Sequence, residues 1–178
     1  MPSTISNKSQ ERAKFAYSSV KTACKNFEEI EMKELLKKES KKLKRDLTGT
    51  EQTAFQENNE VDAVKNAQSN KEKFRSHIKD VPMMIMTNGL AAAFAFVFSK
   101  QQKDQAYHHI ENITKDWLKN EGIIEIEDDE QFHEVLIKQN PEQYRRCTRE
   151  IMALYTWLKR YADGLISYSE SLIKGGEE

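Results

Sequence analysis

Along most of the chain, hydrophobic positions recur every three to four residues and few runs alternate with period two, so the pattern predicts helices nearly throughout. A first helix is expected over about Gln10 to Asp46. Ala13, Ala16, Tyr17, Val20, Ala23, Cys24 and Phe27 form its inward face, and Leu35, Leu36, Leu43 and Leu47 prolong it. Thr48-Gly49-Thr50 breaks it, and the polar stretch Thr50 to Glu60 reads as a short helix or a loop. Val61 to Lys79 predicts a further helix with Ala63, Val64, Ala67, Phe74 and Ile78 inward. Lys71, Lys73, Arg75 and Lys79 decorate its outside.

Val81 to Ser99 carries no charge, and its length is near the minimum for a membrane span. Pro82 at its start, Asn88-Gly89 inside it and the lack of a second apolar segment argue instead for a central helix surrounded by others. Phe94, Phe96 and Phe98 would fill volume there, and Met83, Met84 and Met86 would be core fillers. Gly89, Ala91, Ala92 and Ala93 would admit a close neighbour. Truncating Phe96 is expected to cost about 3–5 kcal/mol. A helix from Asp104 to Asn120 buries Tyr107, Ile110, Ile113, Trp117 and Leu118, and Gly122 ends it. An acidic loop follows, in which Asp128 or Asp129 caps a short helix ending near Lys138. Gly175-Gly176-Glu177-Glu178 is a frayed tail.

The last helix, Asn140 to Ile173, separates two faces. Asn140 can cap it, Pro141 suits the first turn, and Gln143 stands where a capping box places Glu or Gln. At about 100° per residue, Cys147, Ile151, Leu154, Leu158, Tyr161, Ala162 and Leu165 fall in one arc with Trp157. Arg145, Arg149, Lys159 and Arg160 fall opposite. That basic face is either a phosphate-contact surface, since guanidinium forks match phosphate oxygens, or a solvated face with local pairs such as Lys159–Asp163. Glu150 lies at the edge of the apolar arc and needs a partner to be buried, a Lys, Arg or Tyr from another helix.

Charge narrows the function classes. Charged residues are 32% of the chain, yet the formal net charge is −1, so any contact with nucleic acid depends on local patches. The tract Lys37 to Arg45 is basic, either an electrostatic footprint or a solvated helix end. Three prolines, six glycines and abundant Ala, Lys, Glu, Leu and Gln read as an all-α single domain over residues 1–178. Its architecture is a compact bundle of about five to seven helices. Cys24 and Cys147 lie far apart and form no metal knuckle, so buried thiols and a reducing cytoplasm are expected, with no membrane contact. His77, His108, His109 and His133 lack the spacing of zinc motifs, and no phosphate loop or nucleophile motif is visible. The cluster Glu125, Glu127, Asp128, Asp129 and Glu130 lacks calcium-loop spacing. No catalytic residue, metal or cofactor is expected.

Three blocks together resemble one family. They are Ala13-x-x-Ala16-Tyr17-x-x-Val20; Pro82-x-x-Ile85 with Gly89-Leu90 and Ala95-Phe96; and Tyr144-Arg145-x-x-Thr148-x-Glu150 followed by Trp157-x-Lys159-Arg160-x-Ala162. In order and spacing they are similar to the small helical subunit of the type III-B CRISPR effector, the Cmr RNA-silencing complex. Residues 38–62 look like added length, residues 174–178 like a tail, and Ala91, Ala92 and Ala93 replace small polar residues that often follow the Gly-Leu pair. The resemblance implies a non-catalytic subunit of antiviral defence that stacks along the effector filament. Its implied partners are the other Cmr subunits, copies of itself, and the guide RNA–target RNA duplex through the backbone. It also makes Arg145, Lys159 and Arg160 candidates for contact with nucleic acid or a neighbouring subunit. A type III-A small subunit and a helical protein–protein adaptor without RNA contact are the alternatives.

Overall fold

A computed structural model describes residues 4–43, 46–127 and 130–175. Among them are six helices and no strand: α1 (Thr4–Leu43), α2 (Gly49–Asn88), α3 (Leu90–Gln101), α4 (Gln105–Asn120), α5 (Phe132–Lys138) and α6 (Pro141–Gly175). The chain is all-α. The long helices α1, α2 and α6 pack on one another, α3 and α4 pack on α2 and on each other, and α5 packs on α3. One hydrophobic cluster draws on all six, from Val20 and Phe27 of α1 to Phe132 and Leu136 of α5 and Leu154 and Leu158 of α6.

Two helix boundaries differ from those the pattern predicts. The polar stretch after Thr48 is already helix. Thr48 and Glu51 form a capping box in which the Thr48 amide donates to Glu51 Oε2 at 2.9 Å, which satisfies an end that a loop would leave open. From there α2 runs unbroken through Pro82 to Asn88. A proline inside a helix forfeits one hydrogen bond, typically costing about 3 kcal/mol. Here Pro82 is buried, flanked by buried Val81 and Ile85, so packing holds the helix past it.

The break comes instead at Gly89, with φ 85° and ψ 163°, a region essentially reserved for glycine. The uncharged stretch is therefore divided between two helices and is not enclosed all round. Met83 and Met86 are 65% and 73% exposed, against the expectation of core methionines; only Met84 packs on the core. Phe94 is the buried ring, while Phe96 is 41% exposed with Lys100 Nζ 5.5 Å from its centroid. Removing Phe96 would therefore cost less than a core value.

Gly89 is also the joint that locks α6 to the α2–α3 corner. The Tyr144 hydroxyl accepts the Ala91 amide at 3.0 Å, filling one of the open donors at the start of α3. A Cβ on Gly89 would meet that same oxygen at 3.3 Å.

Beyond the bundle, α1 and α2 continue as a two-helix arm. Between Phe27 and Ala63 no described residue is buried; Met32, Leu35, Leu36 and Phe55 are half-buried along its seam. At about 1.5 Å per residue, the α1 half of the arm is about 24 Å long. Its base is closed by Lys71, predicted outside but only 1% exposed, whose Nζ reaches Glu28 Oε1 at 2.5 Å. A buried ammonium survives only with such a partner. At the far end, Lys41 and Lys42 stand in the last turn of α1, where the helix dipole favours cations. Lys44 and Arg45 of the same tract, Asp128, Asp129 and the last three residues lie outside the described residues.

Candidate nucleic-acid interface

The basic face is presented by α6, and the start of that helix explains its orientation. Asn140 Oδ1 accepts the Gln143 amide at 2.9 Å, the N-cap the sequence predicts. The Gln143 side chain does not turn back to complete a capping box. It donates to the Ile123 carbonyl and ties the α4–α5 loop to α6. From this anchored start, Cys147, Ile151, Leu154, Tyr155, Leu158, Ala162 and Ile166 turn into the core. Inside, the Tyr155 hydroxyl pairs with Thr114 Oγ1 at 3.0 Å, which in turn donates to the Ile110 carbonyl.

Glu150 is buried at the seam with α1. Arg12 grips it with both arms of its fork, Nε to Oε1 at 2.8 Å and Nη2 to Oε2 at 3.0 Å, and Lys8 Nζ stands 3.9 Å away. Burial pushes this carboxyl up, but the hydrogen bonds and charge of Arg12, with Lys8, outweigh it and hold the group below the ordinary carboxylate value. The buried Trp117 indole N–H finds no acceptor in good hydrogen-bond geometry, so its pull on the carboxylate is dipolar and weak. Glu150 is thus spent on internal structure and adds no free negative charge to the outer face of α6, where exposed Glu142 and half-buried Asp163 are the carboxylates beside the stripe.

Arg145, Arg149 and Arg160 are exposed and Lys159 is half-buried. They lie on one stripe through positions 145, 149, 152, 156, 159 and 163, with Arg160 beside it, about 22 Å from Arg145 to Arg160. None of the four makes an ion pair among the described residues. The Lys159–Asp163 pair does not form: Lys79 of α2 reaches Asp163 Oδ1 at 2.5 Å instead. Arg160 lies over the Trp157 ring, 5.6 Å from its centroid.

The Lys79–Asp163 pair and a hydrogen bond from Arg75 to Ser167 at 2.9 Å set α2 antiparallel to α6. Helical spacing then puts Arg75, Lys79, Met83 and Met86 on one ridge of α2 beside the basic stripe. The surface is therefore composite: four cations of α6 next to two bare methionines. Lys79 and Arg12 were not legible as part of it. Arg12 sits one turn after Lys8 on an unremarkable polar face, and only tertiary packing brings it to Glu150.

Elsewhere the chemistry is sparse. Among the described residues no group of His, Cys, Asp or Glu is placed to hold a metal ion, and no helix is long and apolar enough to cross a membrane. Cys24 and Cys147 are free thiols, and burial pushes Cys24 up to about 11, far from a reactive thiolate. His109 is wedged against Phe27 and held below its ordinary value by burial. A groove of about 540 Å³ runs along the arm, lined by Glu28, Glu29, Glu57 and Glu60 together with Lys25 and Lys33. Its acidic excess is unsuited to phosphate.

Comparison with known families gives one match. The family model described as CRISPR-associated protein (Cas_Cmr5) covers residues 49–165, more than half of the chain. The match contains the Gly89–Tyr144 joint and the whole basic stripe. It begins inside the 38–62 segment and leaves the Ala13–Val20 block outside. No curated protein and no solved structure matches the chain.

Proposed function

From the premise that the chain belongs to the CRISPR-associated Cas_Cmr5 family and so is a subunit of the Cmr, type III-B, effector, we propose that it is a non-catalytic small subunit holding the guide RNA–target RNA duplex through its backbone. The observation that carries this reading is the outer face of α6. Arg145, Arg149, Lys159 and Arg160 form a basic stripe on which the two carboxylates nearest its middle and end, Glu150 and Asp163, are paired with Arg12 and Lys79, while exposed Glu142 stands only at its start. Guanidinium and ammonium groups on a rigid helix suit phosphate oxygens, and such contacts are independent of base sequence. Stacking along the filament and self-contact belong to the same proposal.

The test is Arg145→Glu with Arg149→Glu in the assembled effector, measured as retention of target RNA. Retention should fall, most at low salt, and depend less steeply on salt than in the wild type. Unchanged retention across the salt series overturns the assignment of these residues.

A second reading, a contact to a neighbouring protein subunit, is favoured by one separate observation. Met83 and Met86 are mostly bare on the ridge beside the stripe, and adaptable methionines suit protein interfaces. Met83→Asp with Met86→Asp should then reduce incorporation into the effector without altering the fold.

A further inference from the structure

The periodicity of α1 turns Tyr17 inward, yet its ring is 41% exposed. It meets Tyr161 of α6 edge-on, with centroids 5.5 Å apart. Tyr161 is in turn nearly parallel to Trp157, at 6.2 Å and 22°. Both α6 rings are half-buried, their inner edges against the core. A cation stands at each end of this row: Lys21 Nζ lies 5.9 Å from the Tyr17 centroid, and Arg160 covers Trp157. Neither cation makes an ion pair among the described residues. The order across the α1–α6 seam is therefore cation, ring, ring, ring, cation, and its last member belongs to the basic stripe.

Core packing accounts for the inner edges of these rings. It does not account for an exposed tyrosine on an apolar arc, or for the two cations placed over aromatic faces. Flat aromatic surface bordered by positive charge is the chemistry that takes nucleobases by stacking and phosphates by charge, with little sequence preference. We propose that Tyr17, Tyr161 and Trp157 form a stacking platform for unpaired bases of single-stranded RNA, with Lys21 and Arg160 taking the flanking phosphates. This rests on the RNA-contact reading of α6 and adds to it: a duplex offers only its backbone, whereas this row requires bases free of their pairs.

The test compares two probes on the full chain, a single-stranded oligoadenylate and an abasic oligomer of the same length and backbone. Bases stacked on aromatic side chains should make the oligoadenylate bind more tightly by about five- to a hundredfold. Tyr17→Ala should remove most of that difference while leaving affinity for the abasic probe unchanged, and Tyr17→Phe should restore it. Because Tyr17→Ala also removes the edge contact with Tyr161, its melting temperature is measured alongside and binding is compared well below it, where both proteins are folded. Equal affinity for the two probes overturns the platform and leaves the backbone reading standing. No affinity for either overturns both. If Tyr17→Ala binds oligoadenylate as the wild type does, or loses both probes alike, the platform is also overturned, and in the first case the row is left to a protein contact.

Discussion

The α1–α2 arm and the outer face of α6 both display many cations, and they use them in opposite ways. On the arm, Lys25 and Lys33 line a groove together with four glutamates, and Lys42 lies 3.7 Å from Glu39 of its own helix. On α6 two carboxylates are drawn off by other helices, Glu150 to Arg12 and Asp163 to Lys79, which leaves the arginines of the stripe unpaired among the described residues. Counting charges along the sequence ranks the Lys37–Arg45 tract first; pairing them in space ranks α6 first. The two regions differ in packing as well. The bundle beneath α6 is densely buried, whereas the arm has no buried residue between Phe27 and Ala63 among those described. A well-packed surface whose cations are not paired with carboxylates suits a phosphate site, and the α6 face is the nearer of the two to it.

Stability should divide along the same line. Phe94→Ala, in the bundle, is expected to lower the unfolding free energy by about 3–5 kcal/mol, and Leu36→Ala, on the arm seam, by about 1 kcal/mol or less, both by denaturant melts. Equal costs would erase the distinction between bundle and arm. Next in size is Gly89→Ala, at about 1–3 kcal/mol. The residue would need a backbone conformation closed to side chains, and its Cβ would press on the Tyr144 hydroxyl.

Arg12→Ala should cost about 1.5–3 kcal/mol near neutral pH, toward the lower end because Lys8 remains beside Glu150. Its pH dependence has a definite sign. Glu150 is held below its ordinary value of 4.5 in the folded state, so its contribution is present above that pH and disappears as pH falls through the lowered value. Thermal melts between pH 7 and pH 3 should therefore show the gap between wild type and Arg12→Ala closing on the acid side.

Much of this fold was legible in the sequence, for identifiable reasons. Asn140 with Pro141 and Gly122 mark real helix ends because their side-chain and backbone constraints are local. The capping box at Thr48-x-x-Glu51 was equally local and would have placed the start of α2 correctly. Pro82 misled because a buried setting can hold a helix through a proline. The methionines misled because an uncharged run does not say which of its faces will be covered. At the candidate site, the stripe Arg145, Arg149, Lys159 and Arg160 follows from helical spacing alone. The pairing of Glu150 and Asp163 away from it does not, since that depends on Arg12 and Lys79, which reach α6 only through tertiary packing.

The smallest effect on stability should accompany the largest on binding. Arg145→Glu with Arg149→Glu lies on exposed positions, where substitutions usually shift stability by no more than about 0.5 kcal/mol. The most direct measurement is the slope of log affinity for duplex RNA against log salt in the assembled effector, wild type against this pair. Lys37→Glu with Lys41→Glu serves as the arm control. If the α6 face contacts phosphates, its variant loses affinity and its slope becomes shallower by about 1–2, while the arm variant keeps the wild-type slope. A wild-type slope in the α6 variant, or a shallower one only in the arm variant, would contradict the account.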